Sequence, residues 1–435
     1  GMPGSLPVLN KKVVEYAAAV GLATNCTITQ DCKFDRKNYF YPDNPQNYQI
    51  SQLYLPICRN GHVDVKLADG TEKTIRIHEI HMEEDAGKLV HDEWEGVSYV
   101  DYNRSGVPLI EIVSEPDMRS AEEVIAYLTK LRTTIQYLGA SDCKLQEGSM
   151  RADVNLSVRE RGSEEFGTRT ETKNLNSFAA IERAIKAETA RQIDLIEAGE
   201  KVVQETRRWN DDKEYSYAMR SKEDAQDYRY FPDPDLVPII ISDEWMAEVK
   251  SKEPEFRDEK MARYISEFNL PEYDADIITL YKPLADLFEA AVEKGSAPKE
   301  ASNWLMGETM RIVKDKGIEP DQVKLTGENF AKFLKLIEND VINKTVAKEV
   351  FEAIFDGGVN PEAYVEEHGL KMDNDTDGLK KIIEEVVANN PKAVADYQGG
   401  NKKAIGALVG QTMKATQGKA NPQMINKILN EILNK

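Results

Sequence analysis

The sequence predicts an α+β protein: a cradle domain of mixed and antiparallel sheet, followed by an all-helical domain and a small helical tail. Three observations carry this. Up to about residue 245, period-two apolar alternation is broken by turn residues and a few helical stretches. After about 250 the texture changes to amphipathic helices split by Gly and Pro turns, as at Asn269-Leu270-Pro271 and Asp356-Gly357-Gly358. Finally, an acid-rich stretch over 362–400 gives way to a basic end. The expected domains are 1–250, 251–365 and 366–435.

The elements follow in order. Asn10 to Leu22 reads as a helix, with Val13, Val14, Tyr16, Ala17 and Val20 at helical spacing and Gly21 placed to end it. Ala68-Asp69-Gly70-Thr71 is a hairpin turn between Val63–Val65 and Thr74–Ile77. The alternation of the second strand slips between Ile77 and Ile80, which predicts a bulge. Ser105-Gly106 turns the chain into the strand Leu109–Val113. Ser120 and Glu123 form a capping box for a helix whose face carries Val124, Leu128, Leu131, Ile135 and Leu138, with Gly139 stopping it. From Met150 to Val158, Arg151, Asp153, Asn155 and Ser157 share one strand face; Arg169, Glu171 and Lys173 share a face of the next strand. If these two strands pair, one sheet face carries alternating acids and bases. That face is either a solvated sheet with cross-strand ion pairs or a polar floor beneath a charged ligand. Ser177 caps a helix running to Ala198, closed by Gly199.

Length and composition bound the function. A chain of 435 residues exceeds what one core usually serves, so several domains are expected. No apolar run is long enough to cross a bilayer and no signal-peptide pattern opens the chain. The four cysteines show no C-x-x-C pairing, which suits a reducing cytoplasm and gives no zinc site. The net charge of −20 argues against non-specific nucleic-acid binding by the whole surface. Asn401 to Lys435, however, holds six lysines and one acid, a local charge of +5 (six minus one). This is a solvated helical face or a phosphate-binding tail, with Lys402, Lys403, Lys414 and Lys419 as candidate nucleic-acid contacts. The opening Gly1-Met2-Pro3-Gly4 runs straight into a folded pattern, as in a chain cut short at its start.

Two clusters suggest chemistry. His81-Met82-Glu83-Glu84-Asp85 sets three consecutive carboxylates at a strand end: a solvated loop, or the hard oxygen ligands Mg²⁺ takes while keeping waters and phosphates. Asp153 and Glu171 could complete such a site. The stretch Lys33 to Asp43 interleaves Lys33, Arg36 and Lys37 with Tyr39 and Tyr41. It is an ordinary strand, or a surface for phosphate neutralisation and base stacking. There is no phosphate-binding G-x-x-x-x-G-K-[ST] loop, kinase signature set, serine-hydrolase elbow or H-E-x-x-H metalloprotease motif.

Several strings resemble one family throughout the chain and in order. They are KFDRKNYFYPDNP with YQISQ (33–52), HMEEDAGK (81–88), GVPLIEIVSEPDMRS (106–120), TKNLNSF (172–178), QETRRW (204–209), DYRYFPDPDL (227–236), SNWLMGE (302–308) and GKANPQ (418–423). They look like the B subunit of the tRNA-dependent aspartyl/glutamyl amidotransferase. The resemblance implies a cytoplasmic heterotrimer with an amidase A subunit and a small C subunit. The A subunit would release ammonia; this chain would use ATP and Mg²⁺ to phosphorylate the side-chain carboxylate of Glu-tRNA(Gln) or Asp-tRNA(Asn), which ammonia then amidates. It also implies that Glu83, Glu84, Glu171 and Lys173 are catalytic and that Glu83, Glu84, Glu171 and Asp153 are metal ligands. Lys33, Arg36, Lys37, Tyr41, Arg151, Asn155 and Arg207 would contact substrate or nucleotide. Family members also carry an N-terminal strand with a Glu-x-His pair, which the expectation places ahead of this chain's first residue. Two other classes remain: a tRNA-binding scaffold without chemistry of its own, and a free-standing ligase for a small carboxylic acid. The lysine-rich tail speaks against the latter.

Overall fold

The computed structural model describes residues 5–92, 94–221, 227–372, 376–416 and 420–433. It divides into two compact units, Gly1–Phe256 and Arg257–Lys435.

The first unit is built on helix α1 (Lys11–Ala23) and strands β1 (Thr27–Ile28), β2 (Asp31–Cys32), β3 (Asp35–Asn38), β4 (Tyr48–Ser51), β5 (Cys58–Lys66), β6 (Glu72–Glu84), β7 (Lys88–Asp92), β8 (Val97–Asp101) and β9 (Pro108–Ser114). Helix α2 (Ala121–Tyr137), β10 (Val154–Leu156), β11 (Thr170–Lys173), helix α3 (Phe178–Glu197), β12 (Glu205–Asn210), β13 (Tyr215–Ser221), β14 (Phe231–Pro232) and β15 (Ile239–Ile240) follow. Asn10 caps α1 by accepting from the Lys12 amide at 2.8 Å. Gly21 does not end this helix. A Cβ there would stand 2.4 Å from Cys58 Sγ, so the absent side chain lets α1 lie close on β5, and the helix continues to Ala23.

The main sheet has the order β1-β5-β6-β9 and is antiparallel throughout. Gly70, at φ 87°, makes the expected β5–β6 turn. Val63, Val65, Ile75, Ile77, Ile80 and Met82 pack into one core with Val14, Val20, Tyr127 and Leu131 from α1 and α2. The bulge is where the alternation places it: the β6–β9 register shifts between Ile77 and Glu79. The extra residue lets Ile77 and Ile80, three apart, share the core, and it turns His81 and Glu83 to the outer face.

The second sheet has the order β10-β11-β12-β13, with β11 and β12 parallel and the other pairs antiparallel. Its first strand spans three residues rather than nine. Its partner β11 offers four, and Gly167 lies against the Val158 carbonyl so closely that a Cβ would come within 2.0 Å of that oxygen. The ladder pairing is confined to Val154–Leu156 with Thr170–Thr172. Helix α3 covers one face; Ala180, Ile181, Ala184 and Ile185 pack with Trp209. Ser177 caps it by accepting from the Ala180 amide at 3.0 Å. Smaller pairings, β14-β3-β4, β15-β2 and the β7-β8 hairpin, complete the unit.

Every described element of the second unit is helical. One core centres on Trp304, Phe330, Phe333 and Phe351; another joins Leu379, Ile383, Leu408, Ile425 and Leu429. No helix among the described residues is long and apolar enough to cross a membrane.

Candidate functional site

On the outer face of the main sheet, His81 of β6 stands opposite Glu111 of β9, with Glu83 two residues further along β6. These three side chains are the one group among the described residues able to hold a metal ion, their ligand atoms all within 4.8 Å of one another. His81 Nε2 is 3.7 Å from an oxygen of Glu83 and 3.7 Å from one of Glu111; Nδ1 is 3.3 Å from Glu79 Oε1. Burial opposes charging this imidazole, but the carboxylates of Glu79, Glu83 and Glu111 outweigh it and push His81 up to about 9. Without a bound cation the imidazolium therefore balances the carboxylates at neutral pH. An NMR titration in the absence of divalent metal is expected to show His81 titrating near 9, not at the ordinary 6.5. The raised folded-state value gives a stabilising contribution fully present below about 6.5 and lost as pH rises through about 9. A titration near 6.5 would mean the three carboxylates do not converge on this ring.

Glu84 leaves the strand on the other face. Its Oε1 accepts from the Ile50 amide at 3.1 Å and from Gln46, while Gln49 Nε2 donates to its carbonyl at 2.7 Å. Burial raises this carboxyl and the Ile50 N–H counteracts it. Glu83 and Glu84, expected to ligate one ion together, thus point to opposite faces, as the period of a strand requires. Asp85 accepts from Arg104 Nε at 3.0 Å and Arg151 Nη2 at 2.5 Å.

The expected pairing of the two polar strands is present: Asn155 stands opposite Glu171. Asp153 and Glu171 meet Lys173 here. The ammonium pairs with Asp153 and lies 3.4 Å from Glu171, which also accepts from Thr206 Oγ1 at 2.9 Å. Burial lowers the Lys173 pKa, but the two carboxylates prevail and raise it. The two sheets act on a common space, since the charges of Asp153 and Lys37 both bear on Glu111, and that of Glu83 bears on Arg151.

Lys37 reaches this space with its ammonium 4.9 Å over the Tyr228 ring. Tyr39 packs edge-on against Tyr228 at 6.2 Å, and burial followed by the nearby Asp43 and Glu83 charges pushes it up to about 12. Arg36, one residue off, faces elsewhere: it donates to Asp233 at 3.0 Å and Asp235 at 2.6 Å and stacks 4.0 Å over Tyr48. It ties β3 to the 233–235 segment. Tyr41 is exposed in the following loop, and Lys33 precedes β3, its carbonyl accepting from Gln52 at 3.2 Å.

Arg207, expected as a substrate contact, is taken up by partners within the protein. Its side chain is buried beneath the second sheet. Nε donates to Ser216 Oγ at 2.8 Å and Nη2 to the Ser216 carbonyl at 2.7 Å; it pairs with Glu205 and lies 3.5 Å from Glu188 of α3. Arg208 is the exposed one. Two ligand candidates, His81 and Glu111, escape the reading of the sequence. Counting two back from Glu83 finds the first. A lone carboxylate inside the apolar strand PLIEIVS marks the second.

In the second unit Lys402 and Lys403 are exposed on the short helical turn Lys402–Ala404, and Lys414 is exposed on the helix Ile405–Ala415. Lys419 lies outside the described residues. Gly406 and Gly410 sit inside that helix.

Residues 1–247 match the family model described as the GatB/GatE catalytic domain, and residues 286–433 match the model described as the GatB domain. The chain is 77% identical over its whole length to a protein of Lachnospira eligens, 70% to one of Agathobacter rectalis and 55% to one of Caldicellulosiruptor bescii. Each alignment covers 91% of the relative, and each relative is named as the B subunit of an aspartyl/glutamyl-tRNA(Asn/Gln) amidotransferase.

Proposed function

This chain belongs to the GatB family of amidotransferase B subunits, and from that premise we propose that it activates the side-chain carboxylate of misacylated Glu-tRNA(Gln) and Asp-tRNA(Asn) with ATP. The observation that carries the reading is the convergence of His81, Glu83 and Glu111 on one outer sheet face, within the field of Lys37 and Asp153. Two carboxylates and an imidazole are a donor set that a small divalent cation accepts, with open positions left for water and phosphate. Glu83, Glu111 and His81 would hold Mg²⁺. When bound, the ion supplies neutralisation of charge on the transferring phosphoryl group.

The remaining groups have distinct tasks. Lys37 and Arg151 present positive charge for phosphate, and Asn155 adds a neutral polar contact. Lys173, held by Asp153 and Glu171, keeps its proton and faces the anionic substrate as a fixed cation. The carboxylate oxygen attacks the γ-phosphorus and ADP leaves. Ammonia from a partner amidase subunit then attacks the acyl carbon, inorganic phosphate departs, and the amide remains on the tRNA. Phosphorylation is needed because a free carboxylate has no adequate leaving group. Residues 1–250 act as the catalytic cradle, 251–365 as a helical connector and 366–435 as the tRNA-binding tail, within a heterotrimer that also holds the amidase and a small third subunit.

The assembled complex, given Glu-tRNA(Gln), ATP and hydroxylamine without glutamine, is expected to form the γ-hydroxamate with matching ADP release. Hydroxamate formation independent of ATP would refute the reading. The tail assignment has its own test. Replacing Lys402, Lys403 and Lys414 together by Ala is expected to weaken tRNA binding at moderate salt and to flatten its salt dependence by about three units of slope, one per phosphate contact. Filter binding across a salt series measures both; an unchanged slope leaves these lysines as solvated surface. Point substitution suits this test better than deletion, since Leu408, Ile425 and Leu429 share a core with Leu379 and Ile383.

A further inference from the structure

The second sheet carries a row of side chains that starts at Lys173 and continues over residues with no part in carboxylate activation. Lys173 of β11 is in register with Arg208 of β12, and Arg208 with Tyr217 of β13. Because neighbours in register share a face, these three residues form one line across three strands, about 10 Å from the reactive cluster to the sheet edge. The next position along, Asn210 opposite Tyr215, extends the same face.

The row is open and chemically specific. Tyr217 and Tyr215 are 42% and 46% exposed, with ring centroids 6.2 Å apart, although large apolar rings on a sheet are normally covered. The Arg208 guanidinium is exposed and has no ion pair or hydrogen bond among the described residues. The adjoining turn does not neutralise it. Asp211 and Glu214 reach to Arg183 of α3, at 2.7 and 3.6 Å, on the opposite side of the sheet. An unpaired guanidinium flanked by exposed aromatic rings suits a flexible polynucleotide strand, the charge for a phosphate and the rings for bases. A free nucleotide would need one ring and one phosphate site; a line leading away from Lys173 to the sheet edge suits a strand that arrives from outside.

We propose that the Arg208–Tyr217–Tyr215 face is the track on which the single-stranded acceptor end of the aminoacyl-tRNA lies, delivering its charged terminus to Lys173 and the carboxylate cluster. This rests on the reading of the site as the place of carboxylate activation. Arg208 contacts a phosphate and the tyrosines contact bases, so the track sets affinity for tRNA without reading a particular side-chain carboxylate.

The test uses the assembled amidotransferase with Arg208→Ala, Arg208→Lys and Tyr217→Val, the last keeping a β-favouring side chain while removing the ring. Arg208→Ala and Tyr217→Val are each expected to raise KM for aminoacyl-tRNA roughly tenfold while KM for ATP holds. Arg208→Ala should also lower the salt slope of tRNA binding by about one unit, and Arg208→Lys should recover most of that slope. A KM for aminoacyl-tRNA within twofold of the parent in both variants overturns the track, as does a rise confined to KM for ATP. Glu83→Gln run in parallel separates this from the underlying reading: undiminished ATP-dependent hydroxamate formation there refutes the site itself, whatever Arg208 does.

Discussion

Glu83→Gln or Glu111→Gln is expected to cut ATP-dependent activation of the tRNA-borne carboxylate by roughly a hundred- to a thousandfold, the scale on which a preorganised charge at a reacting centre acts. Glutamine preserves shape and hydrogen-bonding reach, so what disappears is the negative charge. Each replacement removes one of the carboxylates 3.7 Å from His81 Nε2, so the imidazole loses part of what raises its pKa, and the site loses a hard oxygen donor at the same time. Trapping with hydroxylamine reads the step without waiting for ammonia, and glutamine hydrolysis by the complex reports that assembly survives. Glu84→Gln is the informative contrast. Its amide oxygen can still accept from the Ile50 N–H, so the loss should stay below about tenfold. A deeper loss at Glu84 than at Glu83 would put the essential carboxylate on the inner face and overturn the assignment.

Arg207→Ala should destabilise the first unit by about 3 kcal/mol, while its neighbour Arg208→Ala should change stability by less than about 0.5 kcal/mol. Arg207 is 8% exposed, and its removal leaves Glu205 and the Ser216 carbonyl without a buried donor. Glu188 keeps Arg191 at 2.7 Å, Gln192 and Thr170, which limits the damage. Hydrogen exchange of the β12 and β13 amides, with thermal melts, distinguishes the two variants: faster exchange and a lower Tm for Arg207→Ala alone. Equal stability of both would mean that the sheet does not bury the first arginine.

Signals legible in the sequence are those whose physics is local. Ser120 and Ser177 cap helices because each hydroxyl bonds an amide three residues on. Gly70 turns the β5–β6 hairpin because a positive φ is needed there. The slip between Ile77 and Ile80 betrays the bulge, because both side chains must reach one core. The change of period near residue 250 separates the sheet-rich part from the helical part for the same kind of reason. The chemical inventory was legible only in part: Glu83 bears on Arg151 and Asp153 on Glu111, but His81 and Glu111 were not singled out.

What the tertiary structure decided is phase and partnership. Period two says that Glu83 and Glu84, or Arg207 and Arg208, face opposite ways; it does not say which faces the core. That choice is made by distant partners: Ile50 and Gln46 claim Glu84, and Glu188 and Ser216 claim Arg207. Gly21 stays helical for a comparable reason, because Cys58, on a strand far along the chain, occupies the space a side chain would need. The parallel pairing of β11 with β12, which lines Lys173 up with Arg208, closes across the whole of α3. A hydrogen-bond cap or a turn is settled within a few residues of chain. The face a side chain shows is settled by which surface loses the most water when segments from different parts of the chain meet.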